Sequence, residues 1–120
     1  MKSQTPKEKL KFSEVFISDI KILKDIFNQV TDANSVDQKS FGVPFLLAKK
    51  KDKIIAFASL IVDKNNKISF VVYHNGIHDD DKTDFNQYAS NFLKKKKEAT
   101  FNNAELLIKN AARITQWLNF

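Results

Sequence analysis

A chain of 120 residues is long enough for one folded domain with one buried core. Hydrophobic residues make up 42% of the chain and include eleven phenylalanines, a composition that excludes intrinsic disorder. Cysteine is absent, which excludes a disulfide framework, a thiolate nucleophile and a cysteine zinc site, and favours a reducing compartment.

The net charge of +6 favours an acidic partner such as nucleic acid or an anionic membrane surface. Among the 20 basic residues the only arginine is Arg113, although recognition of phosphate and guanine usually depends on arginine. Nucleic acid is therefore retained as a partner class but is not favoured. The polar, lysine-rich start and the lack of a long apolar run predict no membrane span and a cytoplasmic location.

Residues 1–9 are expected to form a flexible arm, and residues 10–120 a single domain without repeats or linkers. The first element of this domain has two interpretations. In one, a helix starts near Val15, because apolar residues then recur on one helical face. These residues are Phe16, Ile20, Leu23, Phe27 and Val30. In the other, Ser18 and Asp19 cap a shorter helix, and "LKFSEVFI" before it is a strand.

The middle of the chain predicts a three-stranded antiparallel meander. A polar loop, "TDANSVDQKSFG", precedes three apolar segments, "VPFLLAKK", "IIAFASLIVD" and "ISFVVYH". These segments are rich in β-branched and aromatic residues, which favour strands. The short polar turns "KKDK" and "KNNK" separate them, as in consecutive hairpins.

Two helices follow the meander. The first carries an apolar stripe and ends in "KKKKE", whose lysines suit the negative end of the helix dipole. The second starts near Asn103 and again has apolar residues at helical spacing. The stripes are Phe85, Tyr88, Ala89, Phe92 and Leu93 in the first helix, and Leu107, Ala111, Ile114 and Leu118 in the second. The sequence thus predicts an α+β domain in which the meander, with an added N-terminal strand in the second interpretation, packs against about three helices.

This order of elements resembles the front half of the GCN5-related N-acetyltransferase (GNAT) family. "FISDIKILKDIFNQV" ahead of "PFLLAKKKDKIIAFASLIVDKNNKISFVVYHNG" is similar to that family's first strand and helix and its meander, which leads into the acetyl-CoA pyrophosphate loop. "KDKIIAFASLIV" resembles its second hairpin, and "NAARITQWLNF" resembles its C-terminal helix, which usually ends in Gly-Phe. The resemblance implies an acetyltransferase-like fold.

The segment after the third meander strand departs from the family pattern. The family has Arg or Gln and then Gly-x-Gly or Gly-x-Ala, because backbone N–H groups at a helix start approach a diphosphate there. Here "HNGIHDDDKTDFNQYASNFL" has one glycine, no arginine and four aspartates, which repel an anionic ligand. Thr115 and Asn119 stand where the family has its tyrosine acid and terminal glycine. The resemblance therefore implies the fold rather than the activity, and no cofactor is expected.

An alternative retains the enzymatic activity. In it, the strand end still holds the pantetheine arm of acetyl-CoA, as strand edges do in the family. The cofactor-binding residues would then be Val72, Tyr73, His74, Gly76 and Ile77. Catalytic residues stay unassigned, because no serine has a nucleophile-elbow context and no P-loop, dinucleotide-binding or EF-hand motif occurs.

His74 and His78 are four residues apart and precede three aspartates, which is the spacing of a zinc-binding pair on a helix. Because "NG" follows His74, we expect a turn rather than a helix between the two rings. The segment is therefore interpreted as a solvated loop without a metal site. It leads into a helix that Thr83 or Asp84 caps.

Two lysine runs would form an anion-binding patch if folding brought them together. They are Lys49, Lys50, Lys51 and Lys53 at a hairpin tip, and Lys94, Lys95, Lys96 and Lys97 at a helix end. Solvated charge at each place is the favoured interpretation. Trp117 and Phe120 are expected to fold back onto the core rather than to anchor a partner.

The sequence thus predicts a small acetyltransferase-like scaffold that is non-catalytic and binds an unidentified protein partner. One alternative is a divergent acyl-CoA-dependent N-acetyltransferase. The other is a nucleic-acid-binding protein that uses the lysine runs.

Overall fold

The computed structural model describes residues 10–30, 41–95 and 103–118. Within these ranges the chain is an α+β domain with four strands and three α-helices, which confirms the predicted fold class. The elements are β1 (Lys11–Glu14), a 3-10 turn (Ile17–Asp19), α1 (Ile20–Val30), β2 (Val43–Lys50), β3 (Lys53–Val62), β4 (Ile68–His74), α2 (Asp79–Lys95) and α3 (Ala104–Trp117). The expected arm at residues 1–9 and most of the loop before β2 lie outside the described residues.

All four strands pair antiparallel in the order β1-β2-β3-β4. The last three form the predicted meander. β1 pairs along β2, with Lys11 opposite Lys49 and Glu14 opposite Leu46. The second interpretation of the N-terminal segment is confirmed in that a strand precedes a shorter helix, but the strand is Lys11–Glu14 rather than the whole of "LKFSEVFI".

The entry into α1 is closed by the carboxylate of Asp19, which accepts the backbone N–H of Phe16 at 2.9 Å. The helical stripe predicted from Val15 holds in its middle, where Leu23 and Phe27 are buried. It is wrong at its first residue, since Phe16 precedes the helix and is 69% exposed. A strand ends at Glu14, so Phe16 belongs to the connection between sheet and helix.

The sheet is covered on both faces, so the domain has two cores. Side chains alternate along β3, with Phe57 facing α1 while Ala56 and Ala58 face α2. The α1-side core comprises Ile20, Leu23, Ile26, Phe27, Phe41, Leu47, Ile54, Phe57 and Leu118. The α2-side core comprises Phe45, Leu46, Ala48, Ala56, Ala58, Leu60, Phe85, Ala89 and Leu107.

α2 runs back along the sheet from the β2–β3 hairpin end to the opposite end. Near its start, the ring of Phe85 lies 5.3 Å from that of Phe12, and near its end Phe92 lies 5.8 Å from Phe45. The prediction that Thr83 or Asp84 caps this helix is wrong, because α2 already begins at Asp79. Aspartates in a first turn are stabilised by the helix dipole, and this favours the earlier start.

α3 lies at the end of the sheet where β2 begins, and it connects the two cores. Asn103 caps it by accepting the N–H of Leu106 at 3.0 Å, which confirms the predicted start. Leu107 packs in the α2-side core, whereas Leu118, directly after the helix, packs in the α1-side core. Lys24 of α1 donates from Nζ to the carbonyl of Leu118 at 2.8 Å, which satisfies a backbone acceptor at the helix C-terminus.

No α-helix within residues 10–30, 41–95 and 103–118 combines the length and the apolar character needed to cross a membrane.

The two glycines of the chain give a matched test of this packing. Both have a positive φ, +65° at Gly42 and +79° at Gly76, but their surroundings differ. A Cβ at Gly42 would overlap the carbonyl oxygen of Leu60, whereas a Cβ at Gly76 would meet open space. We expect Gly42→Ala to lower the free energy of unfolding by more than about 2 kcal/mol, and Gly76→Ala by about 1 kcal/mol. Urea unfolding measures both, and equal losses would contradict the close approach at Gly42.

Candidate functional site

The junction of β4 and α2 holds the residues that the resemblance assigns to the cofactor. β4 ends at His74, a bend forms at Asn75 and Gly76, and α2 begins at Asp79. The positive φ of Gly76 suits a residue without a Cβ and lets the chain reverse towards the helix. Asn75 donates its backbone N–H to the carbonyl of Ile55 at 3.2 Å, so the pairing of β4 with β3 continues one residue past the strand.

The five candidate residues are consecutive or nearly so, but their side chains do not converge. Val72 and Ile77 pack against the α2-side core, whereas Tyr73 packs against the α1-side core. Gly76 is exposed and no atom lies within 4 Å of where its Cβ would be. A ligand at this junction would therefore contact backbone atoms and the side chain of His74 rather than a pocket lined by converging side chains.

The ring of Tyr73 belongs to the α1-side core. It lies edge-on to Phe27 at 5.0 Å and tilted against Phe57 at 5.3 Å. Burial raises the pKa of its hydroxyl, so Tyr73 stays protonated at neutral pH. Its position indicates a packing role.

The surroundings of His74 shift its pKa. Desolvation lowers the pKa of its imidazole, the positive charge of Lys82 lowers it further, and the carboxylate of Asp79 opposes both effects. Its Nδ1 is shielded from solvent and has no hydrogen-bond partner within the described part of the chain. His74 is therefore held mainly in its neutral form at neutral pH.

The first turn of α2 carries three consecutive carboxylates, those of Asp79, Asp80 and Asp81. The backbone N–H groups of a first turn have no intrahelical acceptor, and together with the helix dipole they usually attract anions. Here the chain supplies its own anions at this helix end. The electrostatics of the turn favour α2 and disfavour a second anion such as a diphosphate.

His74 and His78 lie on either side of the bend, so they do not share a helical face as a zinc pair does. His78 is exposed, and its carbonyl accepts the N–H of Lys82 at 2.9 Å, a bond of the first turn of α2. Within the described ranges no group of three or more His, Asp or Glu side chains has the geometry of a metal site.

The described members of the two lysine runs lie at opposite ends of the sheet. Lys49, Lys50, Lys51 and Lys53 occupy the β2–β3 hairpin. Lys94 and Lys95 end α2, which starts near that hairpin and extends about 25 Å away from it. Lys96 and Lys97 lie outside the described residues. The described lysines therefore do not form one anion-binding patch.

The expectation that Trp117 folds back onto the core is wrong. Its side chain is 51% exposed, and Nζ of Lys21 lies 5.8 Å from its ring centroid. Leu118 takes the core position beside it, and Phe120 lies outside the described residues.

Ile17, which the sequence analysis did not single out, is 75% exposed and precedes Lys21 by about one helical turn. By one-turn spacing Ile17 neighbours Lys21 and Arg113 neighbours Trp117, and we name these four residues the tryptophan patch.

Comparison with known proteins gives no relative for this chain. No family model, no curated protein and no solved structure matches it. The proposals below therefore depend on the residues and their geometry.

The lowered pKa of His74 predicts that stability depends on pH. The unfolded chain, with an ordinary histidine pKa of about 6.5, binds a proton more readily than the folded chain. Stability is therefore expected to fall as the pH drops below about 7 and to level off below the folded pKa. Urea unfolding across this range should show the loss in the parent and a weaker one in His74→Gln.

His78→Gln is the matched control, because it makes the same change at an exposed position four residues away. We expect it to keep the pH dependence of the parent. An unchanged dependence in His74→Gln would contradict the role assigned to the shielded imidazole.

Proposed function

We propose that this chain is a small acetyltransferase-like scaffold that does not catalyse acetyl transfer and binds a protein partner. The observation that carries the first part is the position of Asp79, Asp80 and Asp81 in the first turn of α2, directly after β4 and its bend. In the family that the sequence resembles, the diphosphate of acetyl-CoA lies at this kind of strand-to-helix junction.

Two physical reasons make the junction unsuitable for a diphosphate. Carboxylates already compensate the positive end of the α2 dipole, and a bound diphosphate would add like charge within a few ångströms. The junction also has a single glycine, so side chains at the other positions stand between backbone N–H groups and a ligand. Both reasons act against binding before any catalytic group is considered.

The tryptophan patch supports the second part of the proposal. Large apolar side chains on protein–protein interfaces supply most of the binding free energy when polar groups surround them. Ile17 is 75% exposed and lies about one turn before Lys21, and Trp117 is 51% exposed and lies about one turn after Arg113. A binding surface of this kind needs no cofactor.

A divergent N-acetyltransferase is the first rival. The order of strand, helix, meander and helices favours it. The outer edge of β4 also favours it, because it has no neighbouring strand among the described residues and strand edges hold the pantetheine arm in the family. Nucleic-acid binding through the lysine runs is the second rival, and the separation of the described lysines disfavours it.

The first test is the melting temperature with and without millimolar acetyl-CoA, with coenzyme A in parallel. A ligand at about 100 times its Kd would stabilise the fold by about 2.7 kcal/mol, which is a rise of several degrees for a domain of this size. We expect no rise, because the first turn of α2 repels the diphosphate. A zinc-loaded sample, for which we also expect no rise, tests the His74 and His78 pair.

A dose-dependent rise with acetyl-CoA would overturn the non-catalytic proposal and favour the N-acetyltransferase. Asp80→Asn is then the informative variant, because removing a carboxylate from the first turn should strengthen diphosphate binding. Asp63→Asn, in the β3–β4 turn, is its control for loss of negative charge away from the junction.

A further inference from the structure

We infer that the tryptophan patch binds an acidic segment of another protein, one that presents apolar side chains together with its carboxylates. This inference rests on the proposed partner-binding function and specifies the chemistry of the partner. Three observations support it: the position of Trp117 against α1, the exposure of Ile17, and the separation of carboxylate and ammonium groups around α1.

Trp117 is held in place although it is exposed. Nζ of Lys21 lies 5.8 Å from the ring centroid, and Lys24, one turn further along α1, donates to the carbonyl of Leu118 at 2.8 Å. The side chain of Leu118 is buried in the α1-side core. The two contacts of Leu118 hold the end of α3 against α1, and the Lys21 ammonium lies within cation–π range of the indole, so less freedom of the ring remains to be lost on binding.

Among the residues that the structure describes, Ile17 is the most exposed large apolar side chain, at 75%. The 3-10 turn that contains it is closed at its start by the bond from Phe16 N–H to the Asp19 carboxylate. Four residues later on the same continuous helix, Lys21 reaches Trp117. Ile17 and Trp117 thus present an exposed aliphatic and an exposed aromatic side chain, which can together anchor a protein–protein interface.

Charge is separated across α1. Asp19 and Asp25 line a cleft with Lys49 and Lys53 of the β2–β3 hairpin. Lys21 and Lys24 instead reach towards the end of α3. The carboxylates of Asp19 and Asp25 thus lie on the hairpin side, whereas the ammonium groups of Lys21 and Lys24 lie on the side of α3.

α3 adds positive charge to the same side. Arg113 is exposed and lies one helical turn before Trp117, and the exposed Lys109 lies one turn before Arg113. The rim of the patch is therefore cationic around an apolar centre. Because complementary charge speeds association and rejects partners of the same sign, an acidic segment fits this rim best.

Two other occupants fit less well. A second copy of the chain bound through the same patch would bring Lys21 and Arg113 against the same cations across a two-fold axis. A nucleic-acid base would stack on an open aromatic face, but Lys21 already lies over the Trp117 ring, and Ile17 offers no stacking surface. An acidic protein segment meets both the charge and the aliphatic surface.

The test uses the full chain, and Trp117 itself reports binding because it is the only tryptophan. The probe is a tryptophan-free amphipathic peptide with glutamates on one helical face and leucines on the other. Three comparison ligands are a permuted peptide with scattered leucines, a peptide with lysine in place of glutamate, and a single-stranded oligonucleotide. Tryptophan emission is titrated at low and at moderate salt.

The patch variants are Ile17→Ser, Lys21→Gln and Arg113→Gln. Their matched controls are Ile108→Ser and Lys64→Gln. Ile108 is 52% exposed, and its nine-residue spacing from Trp117 puts it on the opposite side of α3. Lys64 is an exposed lysine in the β3–β4 turn. Melting curves of all five variants establish that each is folded before its affinity is compared.

We expect the acidic amphipathic peptide to shift the Trp117 emission, and its affinity to fall as salt is added. Each patch variant should weaken the affinity about fivefold or more, and each control variant less than about twofold. The inference would be overturned if the permuted or the lysine peptide bound as well as the acidic amphipathic peptide, or if the chain preferred the oligonucleotide. It would also be overturned if patch and control variants had equal effects, or if no peptide bound at millimolar concentration.

The result of the peptide titration can be distinguished from the result of the acetyl-CoA test of the proposed function. Acetyl-CoA stabilisation together with patch-dependent peptide binding would overturn the non-catalytic proposal and leave this inference standing. An unchanged melting temperature with acetyl-CoA and no peptide binding would overturn only the acidic-partner inference.

Discussion

The central strands of the sheet must be covered on both faces, and most of the architecture follows from this constraint. β2 and β3 have apolar side chains in both alternating sets, and Leu46, Leu47, Phe57 and Ala58 are fully buried. One helical layer would leave one of these sets in water, at a cost of about 25 cal/mol for each Å² of apolar area. The chain meets the constraint with α1 from before the meander on one face and α2 from after it on the other.

The position of the functional features follows from that arrangement. α2 must start where β4 ends and return along the opposite sheet face, so its acidic first turn lies at the hairpin end and its lysines lie at the far end. α3 then contacts both cores from the end of the sheet, through Leu107 on one side and Leu118 on the other. Burial of Leu118 directs the adjacent Trp117 outwards, where Lys21 covers one face of its ring.

Local patterns in the sequence predicted the parts of the structure that depend on local chemistry. The three meander strands, the start of α3 near Asn103 and the buried positions Leu23 and Phe27 all follow from residue type or helical spacing. The start of α2 was predicted five to six residues late, since an aspartate in a helical first turn and one in a loop look alike without the strand geometry before them.

The predicted stripe of α3 included Leu118, but the exposure of its neighbour Trp117 was not predicted. The spacing from Ile114 to Leu118 is four residues, which fits the buried helical face, whereas Trp117 falls three residues after Ile114 and was equally compatible with it. In the structure Leu118 takes the core position, and Lys24 of α1 donates to its backbone carbonyl, a bond between residues 94 positions apart. The partner surface proposed here therefore depends on a contact between α1 and α3 that no local pattern encodes.

The candidate cofactor junction and the tryptophan patch are independent features of one scaffold. α1 connects their neighbourhoods: Lys21, near its start, covers Trp117, and Gln29, near its end, accepts a hydrogen bond from the Asn75 side chain at 3.0 Å. The helix of 11 residues separates these two contacts by about 12 Å along its axis. The two features therefore share no residue, although α1 contacts the neighbourhood of both.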